Sequence, residues 1–155
     1  MTNRDSRVEQ LYREQGLRMW RALVGYSSDP EVASDAVAEA FARAVRDEAG
    51  IRDLAAWTWR VAFRLATAEL RQRNDLAGGH PITTTSEMAD QVPEIVAALR
   101  QLSPNQRLAI VMHDYADRPT AEVAEIIGSS RATVYVHLSQ GRRRLRTLLE
   151  VEEDG

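Results

Sequence analysis

Apolar side chains recur at helical spacing along almost the whole of this chain, and the pattern divides it into a series of amphipathic helices. Leu11, Leu17, Trp20, Leu23 and Val24 follow one helical stripe until Gly25. Asp29-Pro30 then supplies an N-cap and a first-turn proline, and the helix it opens carries the stripe Val37, Ala40, Phe41, Ala44 and Val45 before Gly50. Asp53 can cap a third helix running to about Arg73. That helix has two apolar stripes, Leu54-Trp57-Val61-Leu65-Ala68 and Trp59-Phe63-Ala66-Leu70. Trp57 and Trp59 cannot share a face, and Trp57 fits the inward stripe better. This leaves Trp59 and Phe63 to cover a neighbouring helix or meet a partner.

Beyond Pro93 the helical period resumes with Ile95, Leu99 and Leu102 on one side. Ser103-Pro104-Asn105-Gln106 has the form of a capping box with proline at its first helical position. Leu108, Val111 and Tyr115 continue that helix until Asp117-Arg118-Pro119 breaks it, and two further helices follow, Thr120 to Ile127 and Ser130 to about Leu149. Apolar alternation is confined to Val134-Tyr135-Val136, inside a longer helical period, so no strand competes. The reading is all-α, with two small helical domains over residues 6–73 and 93–150. Residues 74–92, with Gly78-Gly79, Pro81 and the Thr83 to Ser86 run, read as an acidic, flexible linker.

Residues 120–138 have the layout of a helix-turn-helix. Val123 and Ile127 face inward from the first helix, Ala124 is small where a second helix crosses it, and Gly128 permits the left-handed turn. Ser130 caps the second helix, from which Val134 and Leu138 face inward. Arg131, Ala132, Thr133, Tyr135 and His137 then fall on or near the outward side, where a recognition helix meets base edges. Arg142, Arg143, Arg144 and Arg146 follow, suited to phosphate contacts.

Charge changes the picture once it is divided. The chain of 155 residues has a net charge of -3, which does not announce a nucleic-acid binder. Between residues 129 and 149, however, there are five arginines and no acid, while residues 150–155 carry four acids. Cysteine is absent, which excludes disulfides, thiolate zinc sites and cysteine nucleophiles. His80, His113 and His137 are too scattered for a metal site, and Gly78-Gly79 has no following lysine to make a phosphate loop. No catalytic centre, metal or cofactor is therefore expected. No apolar run approaches the roughly 20 residues that span a bilayer, and the polar start of the chain lacks a signal-peptide core, so the expected location is the cytoplasm.

The stretch Ala98 to Arg107, with Ala121 to Gly128 and Thr133-Val134, resembles region four of bacterial sigma factors of the extracytoplasmic-function group. Asp29-Pro30, Asp35 to Phe41 and the Ala56-Trp57 helix ending Leu70-Arg71-Gln72-Arg73 are similar to region two of the same group. The resemblance implies a dissociable subunit that docks on core RNA polymerase, reads promoter DNA and is held by an anti-sigma factor. It implies a minus-thirty-five contact set of Ser130, Arg131, Thr133, Tyr135, His137, Arg142, Arg143 and Arg144. Trp59, Arg60, Phe63 and Arg64 would serve minus-ten recognition and melting, with residues 46–53 capturing an extruded base. Glu31, Asp35 and Glu39, an acidic ridge at four-residue spacing, would dock on polymerase together with Phe41. On spacing alone, Glu39 pairing with Arg43 in a solvated face is the commoner outcome. Arg64 and Ala68 stand where the family often has asparagine and aspartate, and Tyr135 to His137 replace frequent lysine, serine and arginine. These departures leave open an alternative, a sigma-like decoy that binds polymerase or an anti-sigma factor without opening promoters. Gly141 should weaken the last helix by roughly 1 kcal/mol relative to alanine.

Overall fold

The computed structural model describes residues 6–76 and 94–153, and within them every regular element is a helix. Helix α1 (Arg7–Ser27) is capped by Ser6, whose hydroxyl accepts from the Glu9 amide. Helix α2 (Pro30–Asp47) starts on Asp29, which accepts from the Glu31 and Val32 amides. A single 3₁₀ turn (Glu48–Gly50) leads to α3 (Leu54–Leu76), capped by Asp53 through the Ala56 amide at 3.1 Å. Helix α3 runs three residues past the boundary read at Arg73. The rest of the proposed linker lies outside the described residues, as does Pro93.

Helices α1, α2 and α3 pack together through Met19, Ala22, Leu23, Ala33, Ala40, Ala44, Trp59, Ala62, Phe63 and Ala66, all almost fully buried. The choice between the two stripes of α3 is thus the reverse of the sequence reading. Trp59 and Phe63 are 0% exposed, whereas Trp57, Val61 and Leu65 are only partly buried. Periodicity could not decide between two apolar stripes. The small side chains Ala62 and Ala66 beside Trp59 let α3 approach its neighbours, and the Trp59 indole N–H donates to Gln15 Oε1 at 2.8 Å, so burial leaves no unpaired donor. Trp59 also stacks on Phe63 with ring centroids 6.2 Å apart. Leu17 and Val45, placed on the apolar stripes by their spacing, are exposed.

The second half opens with α4 (Glu94–Arg100), which buries Val96, Ala98 and Leu99 and leaves Ile95 exposed. Helix α5 (Pro104–Ala109) begins in the capping box: Ser103 Oγ accepts from the Gln106 amide and Gln106 Oε1 accepts from the Ser103 amide. It runs on into a π-helical segment (Ile110–Tyr115), whose wider turn rotates Tyr115 out to solvent. Helix α6 (Thr120–Ile127) and helix α7 (Arg131–Glu153) complete the fold. Gly141 is buried where α7 crosses α5, and a β-carbon there would lie 3.0 Å from Ile110 Cγ1. The glycine permits this crossing, which the propensity reading of a weakened helix did not foresee.

The two halves are packed on each other. Gly25 of α1 faces Leu99 and Val111, and buried residues from both halves form one connected core. Arginines tie the seam. Arg18 donates to the Tyr115 carbonyl and to Asp117, each at 2.7 Å, and Arg60 pairs with Glu125 at 2.8 Å. Arg107 donates to the Tyr26 carbonyl at 3.1 Å, and the Arg118 guanidinium lies over the Trp59 ring.

Candidate nucleic-acid interface

Helix α6 ends on Gly128 in the left-handed region, φ 79°, which reverses the chain within two residues. Ser130 then caps α7, its hydroxyl accepting from the Thr133 amide at 3.2 Å. Val123 from α6 and Val134 and Leu138 from α7 are fully buried between the helices, so the two are held in a fixed crossing. This is the helix-turn-helix expected from the spacing. With 23 residues, α7 is about 34 Å long, enough to lie along a major groove and extend past it.

One face of α7 is presented to solvent by that packing. Arg131, Ala132, Thr133, Tyr135 and Val136 are exposed, Tyr135 at 57% and Val136 at 51%. Arg143 and Arg144 are also exposed, farther along the helix. Val136 was not in the contact set expected from the sequence. An exposed valine beside a tyrosine offers apolar contact of the kind a thymine methyl accepts.

Two residues of the expected set are placed differently. His137 is half-buried and turned toward the first half of the chain, where its Nδ1 is enclosed without a hydrogen-bond partner. Helical rotation explains this: His137 precedes the buried Leu138 and falls at the margin of the inward face. Arg142 is exposed but holds Asp114 through two hydrogen bonds, 2.8 Å and 2.5 Å, an ion pair that raises its guanidinium pKa above the ordinary value. It ties α7 to the π-helical segment.

In the first half, Glu31 and Asp35 are exposed and make no ion pair among the described residues, whereas Glu39 holds Arg43 at 2.8 Å. Phe41, expected to dock beside them, is 7% exposed and packs edge-on against Tyr12 with centroids 5.1 Å apart. It belongs to the core. Trp59 and Phe63 are likewise enclosed and present no ring to an unpaired strand. Arg64 is exposed, and Arg60 is engaged by Glu125. The segment over residues 46–53 is held by Arg7, which donates to the Glu48 and Ile51 carbonyls. Among the described residues no group of acids and histidines could hold a metal ion, and no helix is long and apolar enough to cross a membrane.

Residues 93–145 match the family Sigma-70, region 4. The extracytoplasmic-function (ECF) RNA polymerase sigma factor SigL of Mycobacterium tuberculosis is 30% identical over 154 residues, an alignment that covers 90% of this chain and 87% of SigL. The chain belongs to the ECF sigma factor family. SigJ of the same organism is 34% identical over 138 residues, covering 78% of this chain but only 43% of SigJ, so the chain spans less than half the length of that relative. The fold is shared with the sigma factor RpoE of Bartonella quintana, crystallised with the anti-sigma factor NepR (TM-score 0.74, 21% identity, 92% of this chain and 98% of that one). It is shared also with CnrH in complex with the cytosolic domain of CnrY (TM-score 0.68, 20% identity, 93% and 88%). For this ECF member, both likenesses extend over the two helical halves.

Proposed function

We propose that this chain is a sigma factor that binds core RNA polymerase and directs promoter-specific initiation. The observation that carries the reading is the exposed face of α7 over residues 131–149, free of acids and projected by a helix-turn-helix in a chain of ECF membership. Base-edge contacts fall to Arg131, Thr133, Tyr135 and Val136, with Arg143 and Arg144 on phosphates. Ser130 contributes through the cap that fixes the helix start. Arg60 and Arg64 remain the proposed minus-ten contacts. Glu31 and Asp35, free of internal ion pairs among the described residues, are the proposed acidic surface for polymerase. It steers encounter more than it adds affinity. An anti-sigma protein is the proposed regulator, by analogy with RpoE. No catalytic role is assigned, and the proposed location is the cytoplasm.

A second reading, a decoy that binds polymerase or an anti-sigma factor without melting DNA, draws support from the closed packing. Arg60 is occupied by Glu125, and the aromatic pair suited to strand capture is buried. Run-off transcription with core polymerase on genomic fragments separates the two. Specific transcripts support the sigma factor; polymerase binding without transcripts supports the decoy.

A further inference from the structure

With about 100° of rotation per residue, α7 divides by angle into the face it buries and the face it presents. Val134, Leu138 and Gly141 are buried and define the inner side. The line directly opposite runs through Ala132, Val136, Ser139 and Arg143, all exposed, with exposed Tyr135 beside it. Arg131 and Thr133 stand about 100° to either side of Ala132, on the flanks of the helix. A recognition helix turns the side opposite its packed face into the major groove, and its first turns meet the base edges. The positions that lead into the groove are therefore Ala132, Tyr135 and Val136.

Chemistry limits what these side chains can read. Each base pair shows donors and acceptors in the major groove, and the thymine C5 methyl is the apolar group among them. Ala132 and Val136 carry neither donor nor acceptor. Set against a guanine acceptor or a cytosine amino group, they would displace its water without replacing the hydrogen bond, which costs affinity. Set against a thymine methyl, they bury apolar surface on both partners. Tyr135 and Val136, 57% and 51% exposed, give this patch its area. Arg131 precedes the patch and Arg143 and Arg144 follow it, with no ion pair to any of the three among the described residues. An apolar strip bordered by unpaired arginines suits a polyanion whose inner edge carries methyl groups, which is thymine-containing duplex DNA.

Resting on the sigma-factor reading above, we propose that Ala132, Tyr135 and Val136 form a thymine-reading patch, which selects the minus-thirty-five element through the C5 methyl groups of its T·A pairs. Ala132 and Val136 lie about one helical turn apart, roughly 6 Å along the axis, and base pairs rise about 3.4 Å. The patch thus spans about three consecutive base pairs. Hydrogen bonds from Arg131 and Thr133 reach the pairs beside it.

The test uses the full chain bound to core polymerase. Selection from a random duplex library gives the preferred element, and each of its thymines is then replaced singly by deoxyuridine, which pairs as thymine does but lacks the methyl. Within a run of about three base pairs, deoxyuridine should weaken binding about fourfold per position, the affinity equivalent of one buried methyl, and elsewhere it should be neutral. Val136→Ala places the better helix former at an exposed site, so helicity and polymerase binding should be unchanged. This variant should bind the thymine element several-fold more weakly and no longer distinguish thymine from uracil at one position, whereas Val136→Ile should keep the distinction. Tyr135→Ala should lose it at a neighbouring position. A specifically selected element that lacks thymine, or shows no uracil penalty, overturns the patch and leaves the sigma-factor reading standing. A penalty that persists in both Val136→Ala and Tyr135→Ala overturns it equally, since the methyls are then read elsewhere. If the chain binds polymerase but no element is selected, the sigma-factor reading itself fails and the patch falls with it.

Discussion

Gly141 illustrates how a single residue can be misjudged by propensity. In an isolated helix alanine is better by roughly 1 kcal/mol, but here the added methyl would press on the branched side chain of Ile110 at 3.0 Å. Gly141→Ala is expected to lower stability by about 1 kcal/mol net, a fall in Tm of roughly 2 to 4 °C by thermal denaturation. A rise in Tm would show that α7 and α5 separate without penalty. Ser103→Ala removes the capping-box hydroxyl and should lower stability by about 1 kcal/mol in denaturant titrations, with Ser103→Asp recovering most of it. The cap was legible in the sequence because its bonds are local. The enclosure of Arg107 and Ser28 was not, since the neighbours that bury them come from residues far apart in the chain.

At the scale of elements, the proposed contacts divide α7 into a base-reading start and a phosphate-reading middle. Arg131→Ala should alter the preference among minus-thirty-five sequences, measured by fluorescence anisotropy of holoenzyme on a promoter panel. Arg143→Ala should weaken all of them alike and reduce the slope of log affinity against log salt by about 0.9. Equal effects on every sequence from both variants would contradict the placement of α7. Arg142→Ala should act differently again. It releases Asp114 and loosens α7 from the π-helical segment, so thermal stability should fall, by about 1 kcal/mol for a half-exposed charged pair, even without DNA. Helix existence and the helix-turn-helix were readable from periodicity and from Gly128. The face of α3 was not, because both its stripes are apolar and only docking against α1 and α2 selects Trp59 and Phe63 for burial.

The whole molecule is closed along a seam bridged by Arg18, Arg60, Arg107 and Arg118. A compact chain of this length has a radius of gyration of about 15 Å. Reversing charge at two bridges, with Arg18→Glu and Arg60→Glu together, sets like charges opposite Asp117 and Glu125. Small-angle scattering should then show a larger radius, and adding Asp117→Arg and Glu125→Arg should restore the compact value; no change in either variant would mean that apolar contact alone holds the seam. The net charge of -3 concealed an acid-free stretch in α7, an acidic ridge on α2 and acids spread toward the chain's end, and only dividing it by segment made DNA binding readable. Sequence by itself determined the helices, their caps and the recognition motif, because each rests on residues within a few positions of one another. Tertiary structure decided which aromatic rings are buried, which arginines are engaged and which polar groups are enclosed, because burial and pairing depend on neighbours that chain order does not bring together.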